Sequence, residues 1–187
     1  NEGDLIKIDP TKGSYIESDF TNPLSVYGQS KLAGEKAIQE IGGQFYIFRT
    51  SWVYSNLGKN FFLTMKKLIG EHNEISVVSD QFGIPTSNYF IAQEMSKIIK
   101  LLLPHNKGIY HLVPNGKCSW FDFVQLIARK IDSDFDLNNL NPISTNDYVT
   151  NTIRPKNSVL DNHKAQSTFM IKLNHWETEL DRIINET

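Results

Sequence analysis

Phe45-Tyr46-Ile47-Phe48 is an almost unbroken apolar run that ends on Arg49, set between Gly42-Gly43 and the polar Thr50-Ser51. A strand with one wet face alternates apolar and polar residues, whereas a continuous run marks a strand covered on both faces. Such cover arises when the chain leaves the sheet as a helix and returns in parallel. The flanks have that form. Residues 24–40 carry Leu32, Ala33 and Ile38 at helical positions and stop at the glycine pair. Residues 60–71 repeat Phe61, Phe62, Met65, Leu68 and Ile69 at spacings of three and four, and Ile75-Ser76-Val77-Val78 is the next strand. A helix over 90–103 ends at Pro104; a strand over 108–113 turns at Asn115-Gly116. Ser119 reads as the N-cap of a helix over 120–131, with Asp122 in its first turn. A polar connector over 132–146 holds the fragment Asn141-Pro142-Ile143, and a helix over 176–185 closes the chain. The pattern predicts an α/β fold with mainly parallel strands. The segment 12–19 reads as a surface loop, and Leu5, Ile6 and Ile8 as a short strand.

At 187 residues the chain fits one domain with a real core. Its 40% hydrophobic and 21% charged residues are those of a globular protein, and a net charge of −2 gives no reason to expect nucleic acid or an anionic membrane as partner. No apolar run nears the ~20 residues of a membrane span. The lone Cys118 has no partner for an internal disulfide and reads as a structural thiol in a reducing compartment. No secretory pattern opens the sequence, so the cytoplasm is the expected location. The five histidines lack metal-ligand spacing, and no metal site is expected; His111, on a strand, reads as a satisfied core histidine.

Tyr27 and Lys31 stand at i and i+4 on the first helix, so phenol and ammonium share one face. A fixed cation beside a phenol favours the phenolate and makes the tyrosine a usable proton donor or acceptor. The competing reading is an ordinary half-buried tyrosine beside a solvated lysine. The spacing alone is weakly specific.

Pro23-Leu24-Ser25-Val26-Tyr27-Gly28 with Lys31-Leu32-Ala33-Gly34-Glu35 resembles the active-site helix of the extended short-chain dehydrogenase/reductase family. Arg49-Thr50-Ser51-Trp52-Val53-Tyr54, Asn60-Phe61, the run Val77 through Ser87 and Gly108-Ile109-Tyr110-His111-Leu112 follow in the family's order. Together they are most similar to the branch that reduces the C4 ketone of a dTDP-linked 4-dehydro-6-deoxyhexose, from about residue 12 onward. The resemblance implies a partial Rossmann-like parallel sheet with a smaller C-terminal substrate-binding subdomain. It implies NADPH as cofactor, with NADH as the alternative, a dTDP-sugar as substrate and a homodimer as assembly. Tyr27 would then protonate the carbonyl oxygen, and Lys31 would tune it and hold the nicotinamide ribose. Trp52 would stack on the sugar; its bland reading is a core tryptophan. Asn60 would meet a phosphate or merely cap its helix. Gln81 and Thr86, on the rigid loop Asp80-Gln81-Phe82-Gly83-Ile84-Pro85-Thr86, can hydrogen-bond a pyrimidine or its phosphates. Arg154 would meet the diphosphate, against the alternative of a surface salt bridge. Some family members hold Mg²⁺ at a dimer contact through acidic residues; Ser87-Asn88-Tyr89 offers no carboxylate there, and no metal is carried over.

A dinucleotide fold opens on a strand, a glycine-rich turn and a helix whose N-terminus holds the pyrophosphate. No glycines here have that spacing after a strand, and the family's third catalytic residue, a Ser or Thr upstream, finds no match. The expectation is a C-terminal part of such an enzyme that binds NADPH weakly by itself. Two rivals stay open: another reductase, epimerase or dehydratase acting on a nucleotide sugar, and a non-catalytic relative that binds a nucleotide or a partner protein.

Overall fold

A computed structural model of the chain describes residues 13–71, 74–148 and 154–185. The strand expected for Leu5, Ile6 and Ile8 lies outside these residues. Helix α1 (Val26–Ile41) starts where the Ser25 hydroxyl accepts the Gly28 amide at 3.0 Å. It stops at Gly42 and Gly43, whose φ angles of 75° and 76° suit a residue without a side chain. There follow β1 (Tyr46–Arg49), β2 (Val53–Tyr54), α2 (Phe61–Gly70), β3 (Ile75–Val78), β4 (Phe82–Gly83), β5 (Thr86–Ser87) and α3 (Asn88–Ile98). The second half carries β6 (Gly108–His111), β7 (Cys118–Ser119), α4 (Trp120–Ile131), β8 (Leu140–Ile143), α5 (His163–Phe169) and α6 (Trp176–Asn185).

Among the described residues the pairs β1–β6, β2–β5 and β3–β8 are parallel, and only the short β4–β7 pair is antiparallel. Parallel pairing needs long crossovers, and the helices between the strands supply them. Asn141-Pro142-Ile143 thus becomes half of a register with Ile75–Val78 rather than a stray fragment. The first three residues of β1 are only half-buried, because among the described residues it has β6 alone as a neighbour.

Two apolar cores result. The larger joins Phe62 and Ile69 of α2, Val77 of β3, Phe123 and Ile127 of α4, and Leu180 and Ile183 of α6. The smaller packs Phe90 and Ile98 against Tyr110, Leu112 and Phe169. Ser119 is the N-cap of α4, as the sequence predicts, and Asp122 returns a bond to the Ser119 amide to close a reciprocal capping box.

Two expectations need correction. The surface loop expected over 12–19 is, in its described residues 13–19, not simply that: Tyr15 is 1% exposed, and its backbone bridges to Val159 and Asp161. A single aromatic among polar neighbours left no periodic signal for this. Pro104 also does not merely end a helix; α3 stops at Ile98, tightens into a 3₁₀ turn, and Pro104 begins another over Pro104–Asn106.

Helix α1 buries little besides Gly28 and Glu35. Glu35 is held by Arg49 of β1 through two bonds, Nε to Oε1 at 2.9 Å and Nη2 to Oε2 at 2.7 Å. This forked ion pair, in which Arg49 is 3% exposed, ties the helix to the strand.

Candidate active site

The described residues on and beside β2, α2 and β3, with Trp120, Tyr148 and Arg154, line a cleft of about 410 Å³. Its wall includes Trp52, Asn60, Gln81 and Arg154, four residues singled out from the sequence, together with Lys59, Met65, Val77, Trp120 and Tyr148. Among the described residues two cations and no carboxylate line it, in a chain whose net charge is −2. Such a wall favours an anionic ligand.

Trp52 has a φ of 47°, a backbone conformation that a bulky side chain adopts only when its surroundings impose it. Its indole stacks on Trp120 with centroids 3.6 Å apart and planes 9° from parallel. Gly83 lies against the same ring: a Cβ there would sit 2.3 Å from Trp52 Cε2. Glycine at 83 is therefore a requirement of close approach. Gly83→Ala should force the indole to move and cost about 1–3 kcal/mol of overpacking, read as a lower urea midpoint. An unchanged midpoint would mean that the ring yields freely.

Asn60 caps α2, accepting the Leu63 amide at 3.2 Å, while its amide group donates to the Ser55 and Leu57 carbonyls at 2.9 and 3.2 Å. Both ends of its side chain are engaged, so what it offers the cleft is an ordered helix N-terminus. Gln81 is 5% exposed and donates to the Thr145 hydroxyl at 3.2 Å. Arg154 is exposed, and no described carboxylate pairs with it. Thr86 does not reach the cleft. It is fully buried, with its hydroxyl given to the Ile84 carbonyl at 3.1 Å and its amide to Trp52 at 3.2 Å, so it braces the loop from behind.

Tyr27 and Lys31 meet on α1 as the i, i+4 spacing requires. The ammonium lies over the phenol ring, 5.4 Å from its centroid, and Tyr27 is 55% exposed. Neither lines the cleft. Lys59, Trp120 and Tyr148 were not singled out from the sequence. Lys59 had a signal, standing next to a capping asparagine, whereas Tyr148 sits in a polar connector that shows no periodicity.

The remaining candidates behave structurally. His111 is buried, with Nδ1 3.0 Å from the Asp161 carbonyl. Burial holds it below the ordinary histidine range, against Glu17, which favours its charged form. Burial likewise pushes the Cys118 thiol far up, leaving it inert. Among the described residues no three His, Cys, Asp or Glu side chains gather as a metal site, and no helix is long and apolar enough to cross a membrane.

A family model described as the RmlD substrate binding domain matches residues 3–187. The dTDP-4-dehydrorhamnose reductase of Escherichia coli K12 is 43% identical over 177 residues, covering 92% of this chain and 59% of that protein. Among solved structures, a dTDP-4-dehydrorhamnose reductase from Clostridium acetobutylicum superposes with a TM-score of 0.88 at 34% identity, over 98% of this chain and 63% of its own. One from Bacillus anthracis in complex with NADP gives 0.86 at 34% identity, over 99% and 63%. The chain thus spans about three-fifths of the length of these relatives.

Proposed function

The chain belongs to the RmlD substrate binding domain family, and from that premise we propose that it carries the substrate half of an NADPH-dependent dTDP-4-dehydrorhamnose reductase. The reaction is reduction of the C4 ketone of dTDP-4-dehydro-L-rhamnose to dTDP-L-rhamnose. The observation that carries this reading is the cleft, with two cations, a capped helix N-terminus and a tryptophan wall in one concavity without a carboxylate. A diphosphate meets Arg154 and Lys59, and a sugar ring packs on the indole wall.

Tyr27 and Lys31 fit the nicotinamide end of the cofactor: an exposed phenol and an ammonium sit side by side on one helix face. Nothing among the described residues resembles the glycine-rich cradle that the pyrophosphate end requires. NADPH, once bound with its nicotinamide end at Tyr27 and Lys31, would supply the hydride for the C4 carbon. Tyr27 donates its phenolic proton to the carbonyl oxygen as negative charge grows there, and the Lys31 cation steadies the phenolate left behind. The domain reading belongs to the same proposal: active-site helix, last Rossmann elements and substrate-binding subdomain in one α/β segment. So do a cytoplasmic location and pairing with a second copy of the chain.

The test is NADPH oxidation, followed by the loss of nicotinamide absorbance, with the dTDP-4-keto sugar as substrate. Arg154→Ala should raise KM about 10–100-fold with a smaller change in kcat, since a charge-assisted contact to phosphate is made in ground and transition states alike. Turnover of a UDP-linked ketone in preference to the dTDP-sugar would transfer the assignment to another nucleotide-sugar enzyme.

A further inference from the structure

Gln81 ends a chain of hydrogen bonds whose direction can be read from its far end. Lys156 Nζ lies 3.1 Å from Asp80 Oδ2. Asp80 Oδ1 receives the Thr145 amide at 2.8 Å and the Thr145 hydroxyl at 2.6 Å. Burial would raise the Asp80 pKa, but the bonds from Thr145 and Lys156 outweigh it and hold the carboxyl below its ordinary range. The carboxylate has no proton to give, so the single hydroxyl hydrogen of Thr145 points to Asp80. The hydroxyl oxygen can then only accept, and of the two ends of Gln81 only the NH₂ can donate to it, at 3.2 Å. The carbonyl oxygen of Gln81 is left over. It accepts from no described residue, and Gln81 is among the residues that line the cleft, as are Met65 and Val77.

We propose that the Asp80–Thr145 relay fixes the Gln81 amide with its carbonyl toward the cleft, so that the site selects pyrimidines bearing an N3–H, thymine or uracil, over cytosine. Thymine and uracil present an imide N–H that a carbonyl accepts; cytosine presents a bare N3 lone pair, setting acceptor against acceptor. Met65 and Val77 supply apolar surface for the flat base. Asp80 and Thr145 are positioning residues that act through Gln81. This inference rests on the reading of the cleft as a nucleotide site.

Calorimetric titration of dTDP, dUDP and dCDP into the full protein tests it. The wild type should bind dTDP and dUDP roughly 10–100-fold more tightly than dCDP. Thr145→Val frees the amide to turn over and should bring the three affinities within about threefold of one another, while Thr145→Ser restores the ratio. Gln81→Leu removes the acceptor and should abolish the ratio independently of position 145. A wild type that binds all three equally overturns the inference and leaves the nucleotide reading standing. So does a Thr145→Val protein that loses affinity for all three in the same proportion, as a purely structural role would have it. If none of the three binds, the nucleotide reading fails and this inference falls with it.

Discussion

Under the proposed reaction, Tyr27→Phe should lower kcat by about 10²–10⁴-fold with KM little changed. The substitution keeps the ring that Lys31 covers at 5.4 Å and removes only the hydroxyl. Hydride addition to a ketone builds an alkoxide, and without the phenol the proton has to come from water or a worse-placed group. Because the hydroxyl makes no hydrogen bond to a described residue, its loss leaves no buried partner stranded, and folding stability should stay within about 0.5 kcal/mol of wild type. A variant with near-normal turnover would mean that another group protonates the oxygen. A variant that loses stability instead would return Tyr27 to an ordinary structural residue.

The largest effect on stability is expected at the ion pair beneath the same helix. Glu35→Ala leaves the Arg49 guanidinium 3% exposed and without its carboxylate, which should cost about 3–5 kcal/mol in urea unfolding. Arg49 Nη1 already finds no hydrogen-bond partner among the described residues, so little spare capacity remains to compensate. Adding Arg49→Met to Glu35→Ala removes the stranded charge and should recover most of the loss, since an apolar pair of similar volume suits the site. A Glu35→Ala protein within about 0.5 kcal/mol of wild type would show that α1 is held by other contacts. The consequence reaches function, because the helix that this pair fastens to β1 presents Tyr27 and Lys31.

What could be read in the sequence divides along physical lines. Periodicity and caps reported local structure well: Ser119 and Asp122 marked the start of α4, and Gly42-Gly43 marked the end of α1. Helix α5 left no such trace. It has seven residues, buries only Ala165 and Phe169, and ends on Met170 in the left-handed conformation where a glycine would have been expected. The strands β2, β4, β5 and β7 are two residues each, too short for any alternation. At the site, the family resemblance pointed to Trp52, Asn60, Gln81 and Arg154, and the fold gathers these four around one cleft. Thr86 stood in the same loop but faces the interior, and sequence carries no sign of which way a loop hydroxyl turns. The Trp52–Trp120 stack was equally hidden, since its partners are 68 positions apart (120 − 52) and meet only when β7 pairs with β4 beneath them. The Asp80–Thr145–Gln81 relay spans a similar gap, and a pattern read along the chain cannot register it.

The claim on which the rest depends is that the cleft between Arg154 and Gln81 receives the nucleotide end of the substrate. A crystal structure of the protein with dTDP bound tests it most directly. The account predicts the diphosphate against Arg154 and Lys59, the pyrimidine N3–H on the Gln81 carbonyl, and the Trp52 indole facing the space where the sugar continues. Density for dTDP elsewhere on the protein, with this cleft filled only by solvent, would contradict it.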